Sequence, residues 1–152
     1  GPLAVNTQAN SANLGYNVVT KYPRADYVCL DEPEARLARQ DRWGSIVALA
    51  LDIRRQLGSR ALVVTRGHLG SLTLDADGGC WEVPVFSREV VDRVGAGDAY
   101  FSLTAPCVAA GMPLDVVGFL GNAVGALAVK IVGNRTPVKP GALAAFVRAL
   151  LK

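Results

Sequence analysis

A glycine-rich turn, Gly95-Ala96-Gly97-Asp98, joins a β-type run over residues 81–85 to a long apolar helical pattern, and it narrows the possible folds more than any other stretch. Glycines at a helix start permit backbone angles and close approaches that a Cβ forbids. The first turn of a helix leaves N–H groups without intrahelical partners, and the helix dipole adds partial positive charge there. Together they suit an anion, most often a phosphate. Asp98 falls in that first turn. A carboxylate beside an anion hole suits a general base, taking a proton from a hydroxyl while N–H groups hold a phosphoryl group in transfer. Taken alone, the four residues fit a plain helix N-terminus with an acidic first turn equally well.

The rest of the chain reads as α/β. Residues 3–5 resemble the end of a strand. Residues 6–17 hold Asn6, Gln8, Asn10, Asn13, Gly15 and Asn17, the composition of a polar connector. Asn and Gln also carry donors and acceptors together, which suits hydroxyls and phosphates. A short helical or extended piece follows over residues 18–22, ended by Pro23. Residues 25–30 read as a buried strand that ends in Asp31-Glu32-Pro33-Glu34 and a helix through Arg42. Carboxylates at such a strand end lie where α/β proteins place active sites, although they also favour a helix N-terminus through the dipole. Residues 46–57 have helical apolar spacing, closed by Gly58, and residues 61–65 form a second buried strand. Helix followed by β-branched run is the pattern of a parallel sheet.

The loop Thr65-Arg66-Gly67-His68-Leu69-Gly70 reads as a glycine turn or as a phosphate contact, with Arg66 able to make a charge-assisted bond. His68 reads as an incidental loop residue. Residues 71–74 and 80–85 form a hairpin around Asp75-Ala76-Asp77-Gly78-Gly79, with Trp81 as packing. Residues 86–91 lead into the glycine turn. The chain is expected to be helical from Ala96 onward, with a small, apolar stretch over residues 99–110 and further helices over residues 114–132 and 141–151. Gly118, Gly121 and Gly125 lower helix propensity over residues 114–132, which points to close packing or close ligand approach.

Length and composition set bounds. A chain of 152 residues, 51% hydrophobic and 19% charged, is expected to form a single domain over residues 1–152 with a core that needs no staples. The formal charge of +3 is scattered, which argues against a nucleic-acid partner, and no apolar run reaches a membrane span. Cys29, Cys80 and Cys107 are widely spaced in apolar surroundings and read as buried free thiols of a cytoplasmic protein. Gly1-Pro2 matches a protease scar, and no signal peptide is read at the start.

The longer string Asp92-Arg93-Val94-Gly95-Ala96-Gly97-Asp98-Ala99-Tyr100-Phe101 resembles the C-terminal signature of the ribokinase-like (PfkB) carbohydrate kinases, usually D-T-x-G-A-G-D-x-F. Arg93 departs from the usual Thr. The resemblance implies a three-layer αβα sandwich of which this chain is the C-terminal, nucleotide-binding half. It implies ATP as phosphoryl donor, Asp98 as base, and Gly95, Ala96 and Gly97 as the anion hole. Asp31-x-x-Glu34 stands where the family has N-x-x-E, which makes Glu34, with Asp31, the residues that order water on Mg2+. Thr65, Arg66, Gly67 and Gly70 match the loop that touches nucleotide phosphates, and Asn122 sits on the helix lining the adenine pocket. Asp92 and the loop over residues 133–137 belong to the region of a monovalent cation, K+. The Asn/Gln stretch is similar to one in the heptose-kinase-like branch.

The resemblance runs from about residue 5 to residue 152. The family's first half carries the lid and most sugar contacts, so a sugar or sugar-phosphate site is expected to be incomplete in this chain. A missing N-terminal half, a fused domain or a homo-oligomer is expected to complete it. The alternative is a non-catalytic nucleotide-binding or assembly module descended from such a kinase.

Overall fold

The computed structural model describes residues 1–10, 12–87, 92 and 94–152. Strands β1 (Ala4–Asn6), β2 (Tyr27–Asp31), β3 (Ala61–Thr65), β4 (Ser71–Asp75) and β5 (Cys80–Val83) lie side by side in chain order. β1, β2 and β3 run parallel, whereas β4 and β5 continue the sheet antiparallel. The helices are α1 (Glu32–Arg39), α2 (Ile46–Leu57), α3 (Ala96–Ala109), α4 (Leu114–Ala128) and α5 (Pro140–Leu150).

Side chains alternate across a strand, so a strand that is apolar throughout needs cover on both faces. Val28 and Leu30 of β2, Leu62 and Val64 of β3, and Leu72 and Leu74 of β4 pack with Ala35 of α1 and Ile46, Ala50, Ile53 and Leu57 of α2. Tyr27, Cys29, Ala61 and Val63 point the other way, onto Tyr100 and Val108 of α3 and Leu114 and Val117 of α4. The result is the expected αβα sandwich, with α1 and α2 on one side and α3 and α4 on the other.

Local chemistry places the ends. The β4–β5 hairpin closes as its Asp-Gly sequence predicts, with Asp75 Oδ1 accepting from the N–H groups of Asp77 at 2.9 Å and Gly79 at 2.7 Å. α1 stops at Arg39 rather than Arg42, because Gln40 takes a left-handed φ of 52° and Asp41 Oδ1 then accepts from Trp43 and Gly44. α4 stops at Ala128 rather than residue 132, and Gly133 turns the chain at φ 62°. Cys29 is buried, but Cys80 is exposed, contrary to the expectation of three buried thiols. Cys80 pairs with Leu74 and shares its face, and the core that α1 and α2 make on that face does not extend over β5. Among the described residues no helix is long and apolar enough to cross a membrane.

Gly121 is where α3 and α4 meet. A Cβ there would fall 2.2 Å from Tyr100 Cζ, so the tyrosine ring lies flat against bare backbone. Tyr100 Oη donates to Ser71 Oγ at 3.1 Å, and Tyr27 Oη and Thr104 Oγ1 lie 2.7 Å apart. These buried bonds hold α3 against the sheet, and α3 carries the glycine turn.

Candidate functional site

The parallel strands β1, β2 and β3 end at one edge of the sheet, where the loops after them meet the start of α3. Ligands in open α/β sheets bind outside such carboxyl ends. Gly95 occupies the N-cap of α3 with a left-handed φ of 81°, and no side chain caps the helix. The first-turn N–H groups, including those of Ala96 and Gly97, therefore face the space ahead of the helix. A Cβ on Gly97 would meet nothing within 4 Å, and Ala96 and Gly97 line the cleft.

Asp98 is exposed, and its Oδ1 accepts from Gln8 Nε2 at 3.1 Å. The next residue of the β1 loop, Ala9, donates its N–H to Glu34 Oε1 at 3.1 Å. Glu34 Oε2 accepts from Asp31 N at 2.8 Å, while Asp31 Oδ1 accepts from Glu34 N at 2.7 Å. This reciprocal pair is a capping box at the start of α1. Burial pushes the carboxyls of Asp31 and Glu34 above the usual carboxylate range. At Glu34 the charges of Asp31 and Asp98 push the same way, against the N–H bonds from Asp31 and Ala9.

Across the cleft, Thr65, Arg66, Gly67 and Gly70 form the expected loop, which includes a 3-10 turn over Gly67–Leu69. Thr65 Oγ1 donates to Leu30 O at 3.4 Å. Gly70 has φ 92° and sits so close to Val83 O and Pro84 that no Cβ would fit, a packing reason for glycine at that position. Gly67 faces open space. Asn122 and Gly125 of α4 line the same cleft. Asp92 Oδ1 accepts from Val94 N at 2.9 Å and its Oδ2 from Gly133 N at 2.7 Å, which ties the glycine turn to the loop after α4. Arg93 and residues 88–91 lie outside the described residues.

Residues 16–140 match the pfkB family carbohydrate kinase. The chain belongs to that family. It is 34% identical over 107 residues to the Bifunctional protein HldE of Vibrio vulnificus, an overlap of 70% of this chain and 22% of that protein. Phosphofructokinase-2 from Escherichia coli, solved with substrates and products, superposes with a TM-score of 0.75 at 19% identity, over 88% of this chain and 43% of the other. A ribokinase from Arabidopsis thaliana, solved with ribose and ATP, superposes with a TM-score of 0.71 at 18% identity, over 82% of this chain and 41% of the other. The chain thus has the ribokinase-like αβα fold and spans about a fifth of the length of the HldE relative.

Within this cleft, three side chains are engaged in ways not anticipated from the sequence. Arg66 Nε donates to Glu32 Oε2 at 3.0 Å, and its Nη1 lies 3.9 Å from Glu82 Oε1. Glu32 Oε1 in turn holds Arg36 at 2.7 Å. Burial opposes ionisation of Glu32, but Arg36 and Arg66 outweigh it and hold the carboxyl below its usual range. The Glu32-to-Arg36 spacing of one helical turn was legible; the link to Arg66 was not. Asn122 Nδ2 donates to Val83 O at 2.7 Å and Pro84 O at 3.0 Å, so its donors fasten the end of β5 to α4. Gln8 was read as part of a polar connector, yet it touches Asp98.

Among the described residues no three carboxylate, histidine or cysteine side chains converge as a metal cage. The exposed Asp31 and half-buried Glu34 carboxylates beside the open cleft do fit Mg2+, which keeps several of its waters and is usually held through one or two carboxylates plus substrate phosphates.

Proposed function

We propose that this chain is the ATP-holding part of a carbohydrate kinase that transfers the γ-phosphoryl group to a hydroxyl of a sugar or sugar phosphate. One arrangement carries the reading: Asp98 and the open N-terminus of α3 stand beside the Glu34 carboxylate, with residues 8 and 9 touching both. In this reaction the acceptor oxygen forms a bond to the γ-phosphorus, the bond to the β–γ bridging oxygen breaks, and ADP leaves. Asp98 takes the hydroxyl proton. N–H groups of the Gly95, Ala96 and Gly97 turn stabilise charge on the phosphoryl oxygens as it moves. Positioning and electrostatics supply most of the rate, since phosphoryl transfer needs little covalent help.

Glu34, with Asp31, would hold waters on Mg2+, which neutralises charge on the nucleotide phosphates when bound. Thr65, Arg66, Gly67 and Gly70 flank the phosphates, and Asn122 and Gly125 border the adenine side. Asp92, clamped between Val94 and Gly133, is the position for K+. Residues 1–152 act as one unit in the cytoplasm, and a further half, a fused domain or a second copy completes the acceptor site. The likeness to HldE and the heptose-kinase-like Asn/Gln stretch point to the same branch for the acceptor.

A second reading, a nucleotide-binding module without catalysis, draws on Arg66 being paired to Glu32 and on Asp31 acting as a helix cap. Titration of ATP with Mg2+ into the chain and into Asp98→Asn, with a phosphoryl-transfer assay over a sugar panel run with the completing half or domain present, separates the two. The kinase reading expects ATP binding by both proteins and turnover only by the first. Equal binding with no turnover by either favours the second reading.

A further inference from the structure

Resting on the kinase reading above, we infer that Gln8 is a positioning residue for the Asp98 carboxylate, and that the loop after β1 joins the base to Glu34. Gln8 Nε2 reaches Asp98 Oδ1 at 3.1 Å across 90 residues of sequence. The adjacent Ala9 N–H reaches Glu34 Oε1 at 3.1 Å. Two consecutive residues thus put one donor on each of two carboxylates that repel one another.

The loop is held firmly enough to do this. Before it, Val5 is 4% exposed in the core and Thr7 is 3% exposed. After it, Asn10 and Asn13 bond reciprocally: Asn13 Oδ1 accepts from Asn10 N at 2.8 Å, and Asn10 Oδ1 accepts from Asn13 N at 3.0 Å. Those two asparagines fold the loop, and Gln8 is the member of the polar stretch that faces the base. A neutral amide donor on Oδ1 fixes the plane of the carboxylate and directs Oδ2 toward an incoming hydroxyl. It does so without the full positive charge of Lys or Arg, which would make the base a poorer proton acceptor.

Gln8 is exposed and takes no part in the core, so substitutions there leave the fold intact. Gln8→Glu keeps the shape but replaces the donor with a carboxylate; Gln8→Ala removes it. Assayed with the acceptor site completed, both are expected to lower kcat at least about tenfold while KM for ATP with Mg2+ changes less than about threefold, the split of a group that acts on the transition state. Side-chain amide NMR reads the contact without turnover: the Gln8 Nε2–H resonance moves in Asp98→Ala, and the Ala9 amide moves in Glu34→Ala. An unmoved Gln8 resonance in Asp98→Ala, or unchanged kcat in Gln8→Glu, overturns the inference and leaves the kinase reading standing. A wild-type chain that binds no ATP and transfers nothing overturns the kinase reading, and with it any catalytic meaning of the contact.

Discussion

Gly97 and Cys29 show how far a single residue's surroundings decide its chemistry. A methyl group on Gly97 meets nothing in the protein, and its φ is not in the left-handed region, so the fold accepts Gly97→Ala. Alanine is the better helix former by about 1 kcal/mol. The same methyl intrudes on the space through which the proposed phosphate reaches the α3 N–H groups. Gly97→Ala is therefore expected to raise thermal stability slightly and to weaken ATP binding about tenfold, a loss of about 1.4 kcal/mol. Calorimetric titration and thermal melting check the two opposite signs. Cys29 lies within β2 beneath α3 and α4, where burial pushes its thiol up to about 12, whereas Cys80 is exposed on β5. Partial desolvation and the charge of Glu82 also raise Cys80. Alkylation followed by mass spectrometry should label Cys80 in the folded protein, faster as pH rises, and Cys29 only after unfolding.

Between elements, the α3–α4 contact carries the glycine turn proposed to hold the phosphoryl group. Gly121→Ala would push a Cβ into the Tyr100 ring, and overpacking of this kind costs about 1–3 kcal/mol. Its effect on ATP binding should exceed that of an equally destabilising change in α5, because α3 itself must shift. Asn122→Ala strands the carbonyls of Val83 and Pro84, at a cost of about 1–3 kcal/mol in denaturant unfolding. Asn122 was read from sequence as an adenine contact. The structure shows its amide bonded to the carbonyls of Val83 and Pro84, because the end of β5 and α4 converge there. Helices and strands themselves were legible, since alternation and helical spacing are local patterns. Their ends were less so: α1 stops where Gln40 adopts φ 52°, and no short-range rule marks a glutamine for that role.

For the whole molecule, binding energy and proton linkage both report on the cleft. ATP with Mg2+ at about a hundred times its Kd should stabilise the fold by about 2.7 kcal/mol and raise Tm by several degrees; Asp98→Asn should keep that shift. Glu32 is held below its usual range by Arg36 and Arg66. Its folded pKa lies under its unfolded value, so its contribution is present above the unfolded pKa and is lost as pH falls through the folded one. Glu32→Gln should accordingly lose stability near neutral pH and flatten the acid limb of a melting-temperature profile. Asp31 and Glu34 have the opposite sign. Their contribution is present below the unfolded pKa and is lost as pH rises through the folded one, so the cleft holds two carboxylates that are costly to keep ionised without a cation.

What the amino-acid sequence determined by itself was everything set by neighbours within a few positions: the apolar strands that demand helices on both faces, the hairpin at Asp75, the helix start at Asp31 and Glu34, and the glycine turn with Asp98. That turn also carried the family. Tertiary structure alone decided which polar groups meet. Gln8 and Asp98 are 90 positions apart, and Asn122 and Val83 are 39 apart. Arg66 had every local reason to serve a phosphate, yet the fold brings Glu32 within 3.0 Å of it. A side chain's type fixes which partners it can take; only the packing of helices on the sheet settles which of them is within reach.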